Sequence, residues 1–171
     1  MRVLGAILAG GRSRRFGSDK AHATIDGERL IDLVARSLAA QCEAVVVCGR
    51  EEDGINSIPD WPEPGHGPLG GLNAALHHAA IEGVDAVLSC GCDVPNLPTD
   101  LLRQLEQGAP AIAGEQPVVG LWPVSLALAC DSYLATGQRS LYGFADHVGA
   151  RRVPIEPPLA NINHPSDLPD R

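Results

Sequence analysis

Leu8-Ala9-Gly10-Gly11-Arg12-Ser13-Arg14-Arg15-Phe16-Gly17-Ser18-Asp19-Lys20 is the stretch that decides how this chain is read. An apolar run, Val3 to Ala9, leads into it with the length and composition of a buried strand. The strand stops at two adjacent glycines, which let the backbone turn tightly and bring bare N–H groups close to an anion. Four of the thirteen cations, Arg12, Arg14, Arg15 and Lys20, then fall within nine residues. Lys20 is the only lysine; every other cation is arginine. Arginine grips phosphate oxygens as a planar fork and lysine as a point charge. Strand end, glycines and cations coincide, and together they point to a phosphate-binding loop. No GxxxxGK[ST] is present. A GxGxxG occurs at Gly65 to Gly70, but it follows a proline-rich loop rather than a strand and Pro68 interrupts it, which argues against a dinucleotide fingerprint.

Outward from this loop, the pattern alternates. Leu30, Ile31, Val34, Ala35 and Leu38 recur at helical spacing, and Ala44 to Cys48 reads as a second buried strand. A proline- and glycine-rich loop runs from Ile55 to Gly67. Leu69, Leu72, Ala75, Leu76 and Ala79 mark a second helix, and Ala86 to Cys90 a third strand. Thr99 is placed to cap a helix over Asp100 to Gln107, with Gly108 as its stop. Ala109 to Ala113 and Val118 to Trp122 read as strands, Val124 to Leu134 and Ser140 to Val148 as helices, and Arg152 to Ile155 as a late strand. This alternation predicts an α/β fold: a three-layer, Rossmann-like, mostly parallel sheet with helices on both faces. Such sheets bind ligands at the carboxyl ends of strands, near a switch in strand order. That selects the segments after Ala9, after Cys48 and after Cys90.

The bulk numbers narrow the options. The 171 residues suit one domain, 1–171, without repeats or an interdomain linker. Apolar residues make up 44% and charged residues 20%, an ordinary globular balance. The formal net charge of −8 argues against a nucleic-acid surface. Five cysteines, Cys42, Cys48, Cys90, Cys92 and Cys130, have no framework spacing and read as free thiols in a reducing compartment. No apolar run approaches the roughly 20 residues of a membrane span. The start, MRVLGAILAGG, has an apolar run about half the length of a typical secretory signal's, and most of the nearby positive charge, Arg12 to Lys20, follows it rather than precedes it, so a cytoplasmic protein is expected.

Asp93, in Cys90-Gly91-Cys92-Asp93-Val94-Pro95, follows directly on an apolar strand, where a hard carboxylate can hold Mg²⁺ against phosphate oxygens. Cys90-x-Cys92 has no second cysteine pair near it in sequence, which argues against zinc. His66 stands in the loop before Gly67 and can meet a ligand. His77 and His78 read as helix-surface or packed histidines, and Trp122 as a core residue.

The loop LAGGRSRRFGSDK closely resembles the signature of sugar-1-phosphate and cofactor nucleotidyltransferases. With GPLGG at Gly67 to Gly71, CDVP at Cys92 to Pro95, GQRSL at Gly137 to Leu141 and NINHP at Asn161 to Pro165, the chain looks most like the molybdenum cofactor guanylyltransferase family. The resemblance implies transfer of GMP from GTP to the phosphate of molybdopterin, with Mg²⁺ and loss of pyrophosphate. It also implies passing contact with other cofactor-biosynthesis proteins. A cytidylyltransferase or sugar-phosphate nucleotidyltransferase on the same fold is the nearest alternative, and a non-catalytic GTP-binding domain the next. By resemblance, Leu8, Ala9, Gly10 and Gly11 contact the nucleotide, as do Asp60 and Gly67, Pro68 and Leu69. Lys20 and Arg15 hold the triphosphate and act in catalysis with Asp93. Asp93 also binds the metal, with Asn163 as second ligand and Asn161 as second choice. Three positions depart from the family pattern: Phe16 replaces methionine, Cys48 stands where the family can have a nucleotide-binding asparagine, and His164 replaces threonine.

Overall fold

A computed structural model describes residues 1–10, 20–162 and 164–167. Along the chain lie β1 (Val3–Leu8), a small hairpin of β2 (Thr24–Ile25) and β3 (Glu28–Arg29), α1 (Leu30–Ala39), β4 (Ala44–Cys48) and β5 (Asn56–Ile58). There follow α2 (Gly67–Glu82), β6 (Ala86–Cys90), α3 (Leu101–Glu106), β7 (Ala111–Ala113) and β8 (Gln116–Pro123). The remaining elements are α4 (Ala127–Ala135), α5 (Leu141–His147) and β9 (Arg151–Val153). Seven strands form one sheet in the order β5-β4-β1-β6-β8-β7-β9. β8 runs antiparallel to both neighbours, and the other pairs are parallel.

The alternation within β1 explains the layers. Leu4, Ala6 and Leu8 join one apolar cluster with α2, α4 and α5, whereas Val3 and Ile7 join another with α1 and α3. A strand buried on both faces must be apolar throughout, which is why the run from Val3 carries no polar residue. Each fully buried Leu or Ile contributes about 1.5–3 kcal/mol. Helix α2 is buried at Leu69, Gly70, Gly71, Leu72, Asn73, Ala74, Ala75 and Leu76, because it lies between the sheet and α4 rather than over one layer. Trp122 is fully buried, stacked on Phe144 and donating from Nε1 to Ser89 Oγ at 2.9 Å.

Several elements differ from the expectation. Helix α2 begins two residues before Leu69, since Pro68 fits the first turn of a helix, where no N–H partner is needed. Thr99 does not cap α3; the Leu101 N–H bonds to the Pro98 carbonyl at 3.1 Å, so backbone closes that turn. The segment from Val124 opens as a 3-10 turn, and α4 starts at Ala127. The last strand ends at Val153, because Pro154 has no N–H to continue the ladder. Strand β5 and the β2–β3 hairpin were not anticipated. Ser140 does cap α5, accepting from the Gly143 N–H at 2.9 Å.

The strand order reverses at β1, which has β4 on one side and β6 on the other. Registers Leu8↔Cys48 and Ile7↔Cys90 bring the carboxyl ends of all three strands together. The three segments singled out by sequence therefore share one edge of the sheet.

Candidate active site

The floor of the site is backbone. Ala9 N–H bonds to the Cys48 carbonyl at 3.1 Å, and Gly49 N–H to the Ile58 carbonyl at 3.0 Å. Gly49 takes φ +85, and a Cβ there would lie 2.5 Å from the Gly10 Cα and 2.8 Å from Asp60 Oδ1. Two strand-end glycines thus touch, and the Asp60 carboxylate rests on both. A Cβ on Gly71 would sit 3.2 Å from the Cys48 Cβ and 3.4 Å from Asp60 Oδ1, so the start of α2 closes over the same carboxylate. The Trp61 N–H bond to the Gly70 carbonyl, 3.2 Å, holds the Asp60 loop against that helix.

Asp60 is only 7% exposed, and its Oδ1 has no hydrogen-bond partner among the described residues. Burial pushes its carboxyl above the ordinary aspartate range, and His66 nearby pulls it partly back. A buried unpaired carboxylate oxygen is costly unless a ligand supplies the donor. Asp60 lines a cavity of about 300 Å³ together with Gly49, Arg50, Glu51, Ser57 and Pro64. Of these, only Asp60 was singled out by sequence. Gly49 and Arg50 follow directly on a strand already marked as a ligand-bearing end, and that signal was available for them.

The second carboxylate lies past β6. A Cβ on Gly91 would come within 2.6 Å of Asp93 Oδ1, so the carboxylate folds over that glycine. Asn161 donates from Nδ2 to Asp93 Oδ2 at 3.1 Å, and the Ile162 N–H bonds to the Asp93 carbonyl at 2.6 Å. The carboxy-terminal segment is thereby stitched to the Asp93 loop, and Ile162 packs with Leu30 at the start of α1. Of the two asparagines considered as metal ligands, Asn161 reaches Asp93; Asn163 lies outside the described residues, as do Gly11 and Arg15. Lys20 opens a 3-10 turn, Lys20–His22, whose Ala21 is buried against the α1 side of the sheet.

The other candidates separate cleanly. Leu8 and Ala9 are nearly buried and Leu69 fully so, so their side chains belong to the core. Gly67 and Pro68 form the start of α2. Cys48 is fully buried beneath Gly71, where its side chain packs. His77 pairs with Asp131, 2.9 Å from both carboxylate oxygens, as a packed histidine. Arg152 bonds Asp146 and lies over the Tyr142 ring. Among the described residues no group of three or more His, Cys, Asp or Glu is arranged to hold a metal on protein ligands alone.

The MobA-like NTP transferase domain matches residues 5–150. The chain belongs to the MobA-like NTP transferase family. Within this family it is similar to the molybdenum cofactor guanylyltransferase of Cereibacter sphaeroides, 38% identical over 98% of this chain and 94% of that one. It is 38% identical to the protein of the same name from Rhodobacter capsulatus, again over 98% and 94% of the two chains. Among solved structures, molybdopterin-guanine dinucleotide biosynthesis protein A from Archaeoglobus fulgidus shares the fold with TM-score 0.75 and 21% identity, over 98% and 94%. A cytidylyltransferase, that for 2-C-methyl-D-erythritol 4-phosphate from Thermus thermophilus, shares it at TM-score 0.63 and 16% identity, over 98% and 94%. The MobA-like chain therefore sits on a scaffold used for more than one base.

Proposed function

We propose that this chain is a molybdenum cofactor guanylyltransferase, transferring GMP from GTP to the phosphate of molybdopterin with release of pyrophosphate. The observation that carries this reading is the pairing, on one sheet edge, of a buried carboxylate whose Oδ1 has no hydrogen-bond partner among the described residues, Asp60, with a second one, Asp93, that is held by Asn161. The first suits a base and the second a phosphate. Guanine offers N1–H and N2–H donors side by side, the complement of an ionised carboxylate; cytosine offers no such pair to it. Gly10 and Gly49 leave room for the nucleotide to lie against bare backbone.

The acceptor phosphate is ionised at neutral pH, so no side chain must remove a proton. The task is positioning and neutralising charge on the transferred group. Lys20 and Arg15 are assigned to the departing pyrophosphate. Asp93, with the amide oxygen of Asn161 or Asn163, offers the hard donors that Mg²⁺ takes. When bound, Mg²⁺ supplies Lewis-acid stabilisation of phosphoryl oxygens. No helix among the described residues is long and apolar enough to cross a membrane. None of the five cysteines forms a disulfide, in keeping with work in the reducing cytoplasm. Passing transfer of product to other cofactor-biosynthesis proteins belongs to the same reading.

The direct test is pyrophosphate release with molybdopterin as acceptor, comparing GTP and CTP. GTP is expected to be the better substrate by kcat/KM; preference for CTP would sink the guanylyl assignment.

Asp60 gives a pH signature. Its ionised form accepts from guanine, and burial raises its pKa. GTP affinity is therefore expected to fall on acidification, starting at a higher pH than an ordinary aspartate allows. The empty fold responds with the opposite sign. Between the unfolded and the raised folded value the folded state binds more protons, so stability at this group rises as pH falls. Calorimetric titration of GTP from pH 8 to 5 should show the affinity loss in the parent and a weaker, flat profile in Asp60→Asn. Identical profiles would remove Asp60 from base recognition.

A further inference from the structure

Glu52 is a carboxylate that the proposed reaction does not use, yet it is more deeply buried than any other ion-paired acid among the described residues: its side chain is 2% exposed. Two arginines and a histidine converge on it. His22 Nε2 lies 2.7 Å and Arg50 Nε 2.9 Å from Oε1, and Arg29 Nη1 donates to Oε2 at 3.1 Å. These three come from three separate segments. His22 closes the 3-10 turn that Lys20 opens. Arg50 follows Gly49 and lines the Asp60 cavity. Arg29 ends the β2–β3 hairpin immediately before α1 and is itself fixed by Asp32 in the first helical turn, Nε to Oδ2 at 2.7 Å and Nη2 to Oδ1 at 2.9 Å. The backbone of Glu52 is anchored as well, its N–H donating to Ser57 Oγ at 2.9 Å while Ser57 Oγ donates to the Ile55 carbonyl.

We infer that Glu52 is a positioning residue: one buried carboxylate ties the Lys20 turn and the Arg50 wall of the base cavity into a single unit, and so sets the span between the triphosphate and base ends of the nucleotide site. This rests on the reading of Lys20 and the Asp60 cavity as those two ends. A buried carboxylate is retained only if its charge is matched, and a pair of arginines would match it without His22. His22 is half exposed, with 44% of its side chain accessible, so its bond to Glu52 adds little to the core. What that bond does is fasten the turn holding Lys20 at a fixed distance from Gly49 and Arg50.

Two variants separate the linkage from general stability. Glu52→Gln keeps the shape but removes the charge that gathers both ends. His22→Ala cuts the tether to the Lys20 turn, at an exposed site. Binding is measured by calorimetry for GTP and for GMP, the latter lacking the phosphates assigned to Lys20. Glu52→Gln is expected to weaken both nucleotides, GTP by about tenfold, the loss of one charge-assisted bond. His22→Ala is expected to weaken GTP by roughly fivefold while leaving GMP as in the parent. A parental GTP-to-GMP affinity ratio in His22→Ala overturns the proposal, as does an equal loss for both nucleotides, and this holds whether or not Glu52→Gln folds. Lys20→Ala measured alongside keeps the two readings apart. If Lys20→Ala itself leaves the GTP-to-GMP ratio at the parental value, the assignment of the lysine has failed, not the tether.

Discussion

Replacing Asp93 by alanine is expected to lower kcat by about a thousandfold while GTP still binds, because the lost interaction acts on charge at the transferred phosphate. The structural duty of the side chain is small: one bond, from Asn161 of the carboxy-terminal segment. Its Oδ2 accepts that bond, and its Oδ1 lies over Gly91. The backbone bond from Ile162 to the Asp93 carbonyl survives the substitution. A melting temperature close to the parent is therefore expected together with the collapse in turnover. Lys20→Ala should differ in kind. It is expected to raise the GTP KM as well as to lower kcat, by about a hundredfold in kcat/KM, since a lysine on the departing phosphates acts in both ground and transition states. Steady-state kinetics of both variants, with Mg²⁺ varied, make the comparison. Turnover near the parent in Asp93→Ala would end its role at the reacting phosphate.

Gly49→Ala is expected to have the second large effect, on stability and nucleotide binding together. The φ of +85 disfavours any Cβ, at a cost of about 1–2 kcal/mol. Beyond that, the new methyl would meet Gly10 Cα at 2.5 Å, and neither glycine can move without breaking the Ala9–Cys48 and Gly49–Ile58 bonds. A total near ~3 kcal/mol corresponds to a melting temperature lower by roughly 10 °C in a chain of this size. Gly54 is the internal control. It has φ +81 with nothing within 4 Å of an added Cβ, so Gly54→Ala bears only the conformational cost. The difference between the two variants in thermal unfolding isolates the contact between the strand ends. Equal melting temperatures would mean that Gly10 and Gly49 do not touch as described.

The contrast between what could be read from the residues and what could not follows from the range of the forces involved. Buried strands declare themselves locally: Val3 to Leu8, Ala44 to Cys48 and Ala86 to Cys90 are apolar on both faces because both faces are covered. The rule linking strand ends to ligands then placed Gly10 and Asp93 without any tertiary information. Strand β5 was missed because Asn56-Ser57-Ile58 has no periodicity of its own; it is a strand only because β4 lies beside it. The β2–β3 hairpin, by contrast, has a local signal. Asp26-Gly27, both with positive φ, is the dipeptide that a two-residue hairpin turn prefers. Among site residues, Asn161 could be weighed only against Asn163, since which amide turns toward Asp93 is decided by how the last segment docks on Leu30. Glu52 was invisible for a simpler reason. In Arg50-Glu51-Glu52-Asp53 nothing distinguishes one acid from the next, and burial alone selects it.

The placement of β5 has a consequence outside catalysis. It is the outermost strand on its side of the sheet, and an open edge invites another chain to add a strand. Here the exposed ladder is three residues long and is followed at once by Pro59, with Pro62 and Pro64 close behind. Prolines donate no N–H and resist pairing, so the segment that frames the Asp60 cavity also acts as a gatekeeper against aggregation. Engineering that loop toward a different base by removing prolines would therefore trade solubility for specificity, and retaining Pro59 is the safer course.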